Sequence, residues 1–205
     1  MTTKYKLFTV KSSVSFMVFI LLFGVYSCNT DAKVEKAQDS YKFFNLEQGG
    51  WKSKSISQNF SNITYTATLV PIQYYIIKEE GAHNMQKIDS IYQKHKMERI
   101  VEMEFSQDLK DDLLKSKYTN LDYESSVEYM AFSIEKDFMA ITQKGDTLQC
   151  SGVSFERNFK LAPFKRLLLH FGNIPENEQI QLVYQDRLFG NGMLKFKFKE
   201  TPLKL

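Results

Sequence analysis

The chain holds three histidines, His83, His95 and His170, and two cysteines, Cys28 and Cys150. No pair of them stands at the spacing of a zinc site, whether His-Glu-x-x-His or paired Cys-x-x-Cys, so neither a metal nor a cofactor is expected. A catalytic thiol needs a base beside it, and no histidine is near Cys150 in sequence. Cys150 therefore reads as a small hydrophobe in a strand, unless the fold itself brings a base to it. Carboxylates are plentiful. Glu102 with Glu104, and Asp111 with Asp112, are the adjacent pairs from which a general acid/base couple is built. On alternate strand positions or in a polar turn the same charges make a solvated face, which is the simpler reading. No Gly-x-Ser-x-Gly elbow is present, and Gly190-Asn191-Gly192 lacks the lysine and the strand-to-helix context of a phosphate loop. His170, between Leu169 and Phe171, reads as a hydrogen-bonded core histidine, and His95 as a partly covered surface residue. Most aromatics fall on the buried phase of strands. Trp51, Tyr74, Tyr75, Tyr118 and Phe189 are less committed and form a candidate partner surface.

The elements that would carry these residues are mostly strands. In Asn62 to Leu69, Ile63, Tyr65, Ala67 and Leu69 alternate with Asn and three Thr, a period of two rich in β-branched residues. Trp51–Ser57 reads as the neighbouring strand, with the turn at residues 58–61. Pro71 suits the first turn of a helix ended by Gly81, and Met85, Ile88, Ile91, Tyr92 and His95 recur at helical spacing over 85–96. Together these two helices make one insertion. Val101, Met103 and Phe105 alternate with Glu102 and Glu104 in another strand. Ser106 is placed to cap a short helix over 107–116. From residue 125 the pattern predicts a β meander, with strands around 127–131, 138–142 and 148–155. A strand at 166–171 is expected to be buried on both faces. A final hairpin pairs 180–184 with 194–198 across the glycines of 186–192. This predicts a mainly β chain, an antiparallel β-sandwich compatible with an immunoglobulin-like arrangement, carrying a short helical insertion.

The N-terminus differs from the rest. Lys4, Lys6 and Lys11 precede the apolar run Val14–Val25, which ends at Tyr26-Ser27-Cys28. That run is shorter than the roughly 18 apolar residues of a membrane-spanning anchor, and it fits the about 7 to 15 of a signal-peptide core. Val25-Tyr26-Ser27-Cys28 resembles the lipobox of bacterial lipoproteins, in which an aliphatic, a variable and a small residue precede a cysteine that is lipidated and becomes the mature N-terminus. The resemblance covers this segment alone, and Tyr26 is bulkier than the usual occupant. It implies a signal peptide over 1–27, lipidated Cys28 with a tether over 28–40, and a single β-rich domain over 41–205. Asn29 to Ser40 has too little apolar surface to order itself, as a tether requires. Asn29 after the cysteine resembles the sorting pattern for the outer membrane rather than the inner. Asp31, Glu35 and Asp39 are spaced acids that give slight support to surface display, so the periplasmic and the surface side both stay open.

The net charge of +3 is carried by Lys4, Lys6 and Lys11, so the remainder is neutral, with 24 acidic residues matched by the other Lys and Arg. A nucleic-acid binder needs a surplus of basic residues on one face, so no nucleic acid is expected as a partner. With Cys28 assigned to lipid, Cys150 has no partner, and stability must come from packing rather than disulfides. Two functions follow. The first is a membrane-anchored envelope lipoprotein acting as a non-catalytic binding or assembly module, its partners being the membrane through the lipid and an envelope protein. The second is an envelope hydrolase using Asp/Glu acid-base chemistry, which requires a deep cleft with two convergent acids. The absent motifs favour the first. Composition and lipobox together resemble the lipoproteins of Bacteroidota, which supplies no activity to carry over.

Overall fold

The computed structural model describes residues 54–81, 84–108, 111–156 and 164–202. Cys28, the tether, Trp51 and His83 lie outside them. The described fold is mainly β, with two antiparallel sheets and three short helices. Strands β1 (Lys54–Phe60) and β2 (Ile63–Val70) are joined by Ser61 and Asn62, both at positive φ, the two-residue geometry whose twist matches that of paired strands. The turn therefore comes at 61–62 rather than at 58–61. Tyr65, Ala67 and Leu69 point inward and the threonines outward, as the alternation requires.

Helices α1 (Ile72–Glu80) and α2 (Met85–His95) follow. Pro71 opens α1, and Gly81, at φ 75°, ends it in a conformation that only glycine adopts freely. The Asn84 side chain caps α2 by accepting from the Lys87 amide at 3.0 Å. Ile76, Ile77, Ile88 and Tyr92 make a small core of their own between the helices. Strand β3 (Arg99–Ser106) then returns to pair with β2.

The next segment departs from the sequence pattern. Among the described residues of 107–116 there is no helix. The Asp112 carboxylate accepts from the Leu114 amide, a local side-chain bond that competes with a helical ladder, and Leu113 and Leu114 are both buried. Residues 123–137 are helical where a strand over 127–131 was expected: α3 (Tyr123–Glu128) widens into a π turn (Tyr129–Ser133) and tightens into a 3-10 turn (Ile134–Asp137). Asp122 caps it through the Ser125 amide at 2.9 Å, and Ser126, Met130 and Ile134 are its buried face. Their spacing of four outweighs the period-two mimicry of Val127, Tyr129 and Ala131.

Strand β4 (Phe138–Thr142) lies where expected, but the predicted partner over 148–155 is two strands in different sheets. β5 (Thr147–Gln149) pairs with β4, whereas β6 (Gly152–Glu156) pairs with β7 (Phe164–Phe171). Between them the Cys150 amide bonds to Phe138 and the Ser151 amide to His170, so the chain changes sheet across one peptide. β7 is not buried on both faces. Lys165, Leu167, Leu169 and Phe171 are inside, while Leu168 and His170 are half-buried on the outer side. His170 is thus a face residue and not a core histidine. β8 (Ile180–Asp186) and β9 (Gly192–Lys197) form the last hairpin.

The first sheet has strand order β1-β2-β3-β7-β6 and the second β5-β4-β8-β9. Their inner faces meet as a β-sandwich. Tyr65 and Phe105 of one sheet lie 6.2 and 5.8 Å, ring to ring, from Tyr184 of the other, which itself stacks on Phe138 at 4.4 Å. No described helix is long and apolar enough to cross a membrane.

Candidate functional site

Alternation on β3 sends Glu102 and Glu104 to the outer face of the five-stranded sheet. Register sets Arg166 of β7 beside Glu104 on one side and Glu156 of β6 on the other. Arg166 Nη2 donates to Glu104 at 2.7 Å and Nη1 to Glu156 at 3.4 Å, while Nε is 3.8 Å from Glu102. The Phe164 ring supports the guanidinium at 4.7 Å. Burial works against the charged guanidinium, but the bond to Glu104 and the fields of the glutamates outweigh it and raise its pKa. From above, the Tyr75 hydroxyl of α1 donates to Glu102, and burial followed by that bond pushes the phenol above its ordinary range. Glu102 and Glu104 are therefore half-buried and share one counter-ion, a different state from a solvated face. Beside them runs a ladder of paired polar groups, Ser55 with Thr68, Ser57 with Thr66 and Asn59 with Thr64, each at 2.9 Å.

Asp111 and Asp112 part company. Asp111 is gripped by Lys115 and Lys117, which hold its carboxyl well below the usual range. Asp112 is buried and pairs with buried Lys165 at 3.0 Å.

Two further carboxylates, not singled out by the sequence pattern, come together inside the sandwich end. Asp186 accepts four bonds: Tyr184 Oη and the Phe189 amide on Oδ1, Tyr65 Oη and the Asn191 amide on Oδ2, between 2.6 and 3.2 Å. A carboxylate has about four lone-pair positions, so this one is saturated and fixes the β8–β9 loop. Asp137 accepts from Tyr129 on one oxygen, and the other lies 3.4 Å from Arg187 Nε without a hydrogen bond. Burial raises its pKa, with Asp186 adding to the effect and Tyr129 and Arg187 opposing it. The only signal in the sequence was an acid at the mouth of a glycine-rich turn, a common Asx-turn position. Surface hollows of about 430 and 210 Å³ lie at the β4–β5 turn and the start of β8; neither is lined by Asp137 or Asp186.

The candidate aromatic surface does not converge. Tyr74 and Tyr75 touch at 5.2 Å over the outer face of β3, whereas Phe189 packs at 5.8 Å on Phe105, on the inner face of the same strand. Tyr118 lies under Lys117. Cys150 sits in the link between sheets, its Sγ 3.2 Å from the Gly152 carbonyl, and burial pushes the thiol up, away from the nucleophilic thiolate. Exposed His95 bonds Glu98 at 2.7 Å. Among the described residues, no three His, Cys, Asp or Glu side chains converge as metal ligands.

No family model matches the chain, and no curated protein does. Among solved structures, a novel protein of unknown function from Burkholderia pseudomallei K96243 is similar, with a TM-score of 0.35 and 5% identity over 82% of this chain and 88% of that one.

Proposed function

We propose that this is a lipid-anchored lipoprotein of the bacterial cell envelope whose β-sandwich is a non-catalytic binding or assembly module. The observation that carries it is the run Val14–Val25 ending in Val25-Tyr26-Ser27-Cys28, the charge and apolar pattern of an export signal followed at once by a lipidation cysteine. The state of the carboxylates supports the second half of the reading. An acid/base couple needs one carboxyl free to take a proton and another free to give one. Glu102 and Glu104 share Arg166, Asp112 holds Lys165, and all four positions of Asp186 are filled.

The test is acylation. Grown with labelled fatty acid, cells expressing the chain are expected to show label on the protein and recovery with outer membranes. Cys28→Ser should abolish the label, retain the uncleaved signal and raise the apparent mass. Unlabelled wild-type protein in the soluble fraction would refute the proposal.

A further inference from the structure

The two outward faces of the sandwich differ in charge. On the five-stranded sheet, Glu102, Glu104 and Glu156 surround the single Arg166. On the four-stranded sheet the outward positions follow from the register: one row is Gln149, Met139, Val183 and Lys195, the next Thr147, Ile141, Gln181 and Lys197, with Gln185 beside Met193 at the end. These outward strand positions include no carboxylate; Asp146 and Glu178 lie beyond them, in the loops at one end. The face thus carries half-buried Met139 and Ile141 beside a buried Val183, amides around them, and exposed Met193, Lys195 and Lys197 along the β9 edge. A shallow hollow of about 210 Å³ opens between Ile141, Gln181 and Lys197.

The first described strand runs along this same edge. β1 begins at Lys54, which is paired at 2.5 Å with Glu200 just beyond β9, and Gln58 Nε2 donates to the Lys195 carbonyl at 2.8 Å.

We infer that the outer face of the four-stranded sheet rests on the anionic bilayer surface to which Cys28 tethers the chain. This rests on the anchoring proposed above. Lysines with long apolar stems set their charges among lipid headgroups while methionine and isoleucine meet the acyl boundary. The sandwich core sets the far face's acids about 10 Å or more further from the bilayer than the near face's cations, so their repulsion is the weaker of the two. Once acylated, the protein meets the surface at high effective concentration, so weak contacts suffice to orient it.

The test uses the acylated full chain in vesicles of phosphatidylethanolamine and phosphatidylglycerol doped with a nitroxide-headgroup lipid, read through carbon-13 methionine methyl signals. Met139 and Met193 report the proposed face; Met85 and Met97, exposed at the ends of α2, report the insertion packed on the opposite sheet. Met139 and Met193 are expected to broaden several-fold more than Met85 and Met97. Lys195→Glu with Lys197→Glu should remove that preference while the protein stays on the vesicles. Equal broadening of all four methyls, stronger broadening of Met85 and Met97, or a preference indifferent to the lysine changes would overturn the orientation. So would Met139 and Met193 shifts that follow protein concentration without lipid, the mark of a second copy on this face. Failure of the chain to be acylated and to float with vesicles refutes the anchoring instead.

Discussion

Tyr65 of β2 donates its hydroxyl proton to Asp186 of β8 at 2.6 Å, a bond that crosses the core from one sheet to the other. The same hydroxyl accepts from Asn191 Nδ2 at 2.6 Å, so one phenol ties the five-stranded sheet to both ends of the β8–β9 loop. Burial, then Asp186, pushes its pKa far above the ordinary range and keeps it a donor at any physiological pH. Tyr65→Phe keeps the ring packing and leaves buried Asp186 and half-buried Asn191 each short of a partner, for a loss of about 1–3 kcal/mol. Urea unfolding with an unchanged m-value checks it, and combination with Asn191→Ala should be clearly less than additive.

Lys165 and Asp112 are both buried, and each neutralises the other. Lys165→Met strands the Asp112 charge and is expected to cost about 3–5 kcal/mol. Adding Asp112→Asn removes that charge while its side-chain oxygen still accepts from the Leu114 amide. The double variant should regain most of the loss in the same urea assay.

Arg166 holds three glutamates together on a half-exposed face. Arg166→Gln leaves Glu102, Glu104 and Glu156 to repel one another, with an expected loss of about 1–2 kcal/mol at low ionic strength. Repulsion between part-exposed charges is screened, so the deficit should shrink when thermal melts are repeated at about 1 M salt, where the Debye length is about 3 Å. A loss independent of salt would point to lost packing on Phe164 instead.

The strands that line the core were readable where apolar and polar residues alternate cleanly: Thr64, Thr66 and Thr68 mark the outer face of β2, and Lys195 and Lys197 that of β9. Two places misled. Val127, Tyr129 and Ala131 alternate like a strand, but Asp122 caps a helix whose buried face is Ser126, Met130 and Ile134. A π turn then adds a residue and blurs the period. Leu148 to Phe155 reads as one strand, because a change of sheet at Cys150-Ser151 leaves no mark in a pattern that records only inside and outside. The carboxylates behaved similarly. Glu102 and Glu104 were visible as a pair, but their shared Arg166 lies 62 residues beyond Glu104, and Asp137 and Asp186 meet only through the fold. Such pairings are set by register between distant strands, which local periodicity does not encode.

Asp137 gives the pH dependence a definite sign. Burial, reinforced by Asp186, raises its folded-state pKa above that of the unfolded chain, where an aspartate titrates near about 3.9. Between those two values the folded protein holds a proton that the unfolded chain has lost. Its stabilising contribution is therefore complete below the unfolded value and is lost as pH rises through the folded one. Most surface carboxylates do the reverse, as Asp111 does with its pKa held low by Lys115 and Lys117. Asp137→Asn removes this titration while keeping an acceptor for Tyr129. The free-energy difference between variant and wild type is expected to move in the variant's favour from pH 4 upward and to level off once Asp137 is ionised. Urea unfolding across that range measures it. A difference independent of pH would mean that Arg187, 3.4 Å away, holds the carboxylate ionised throughout.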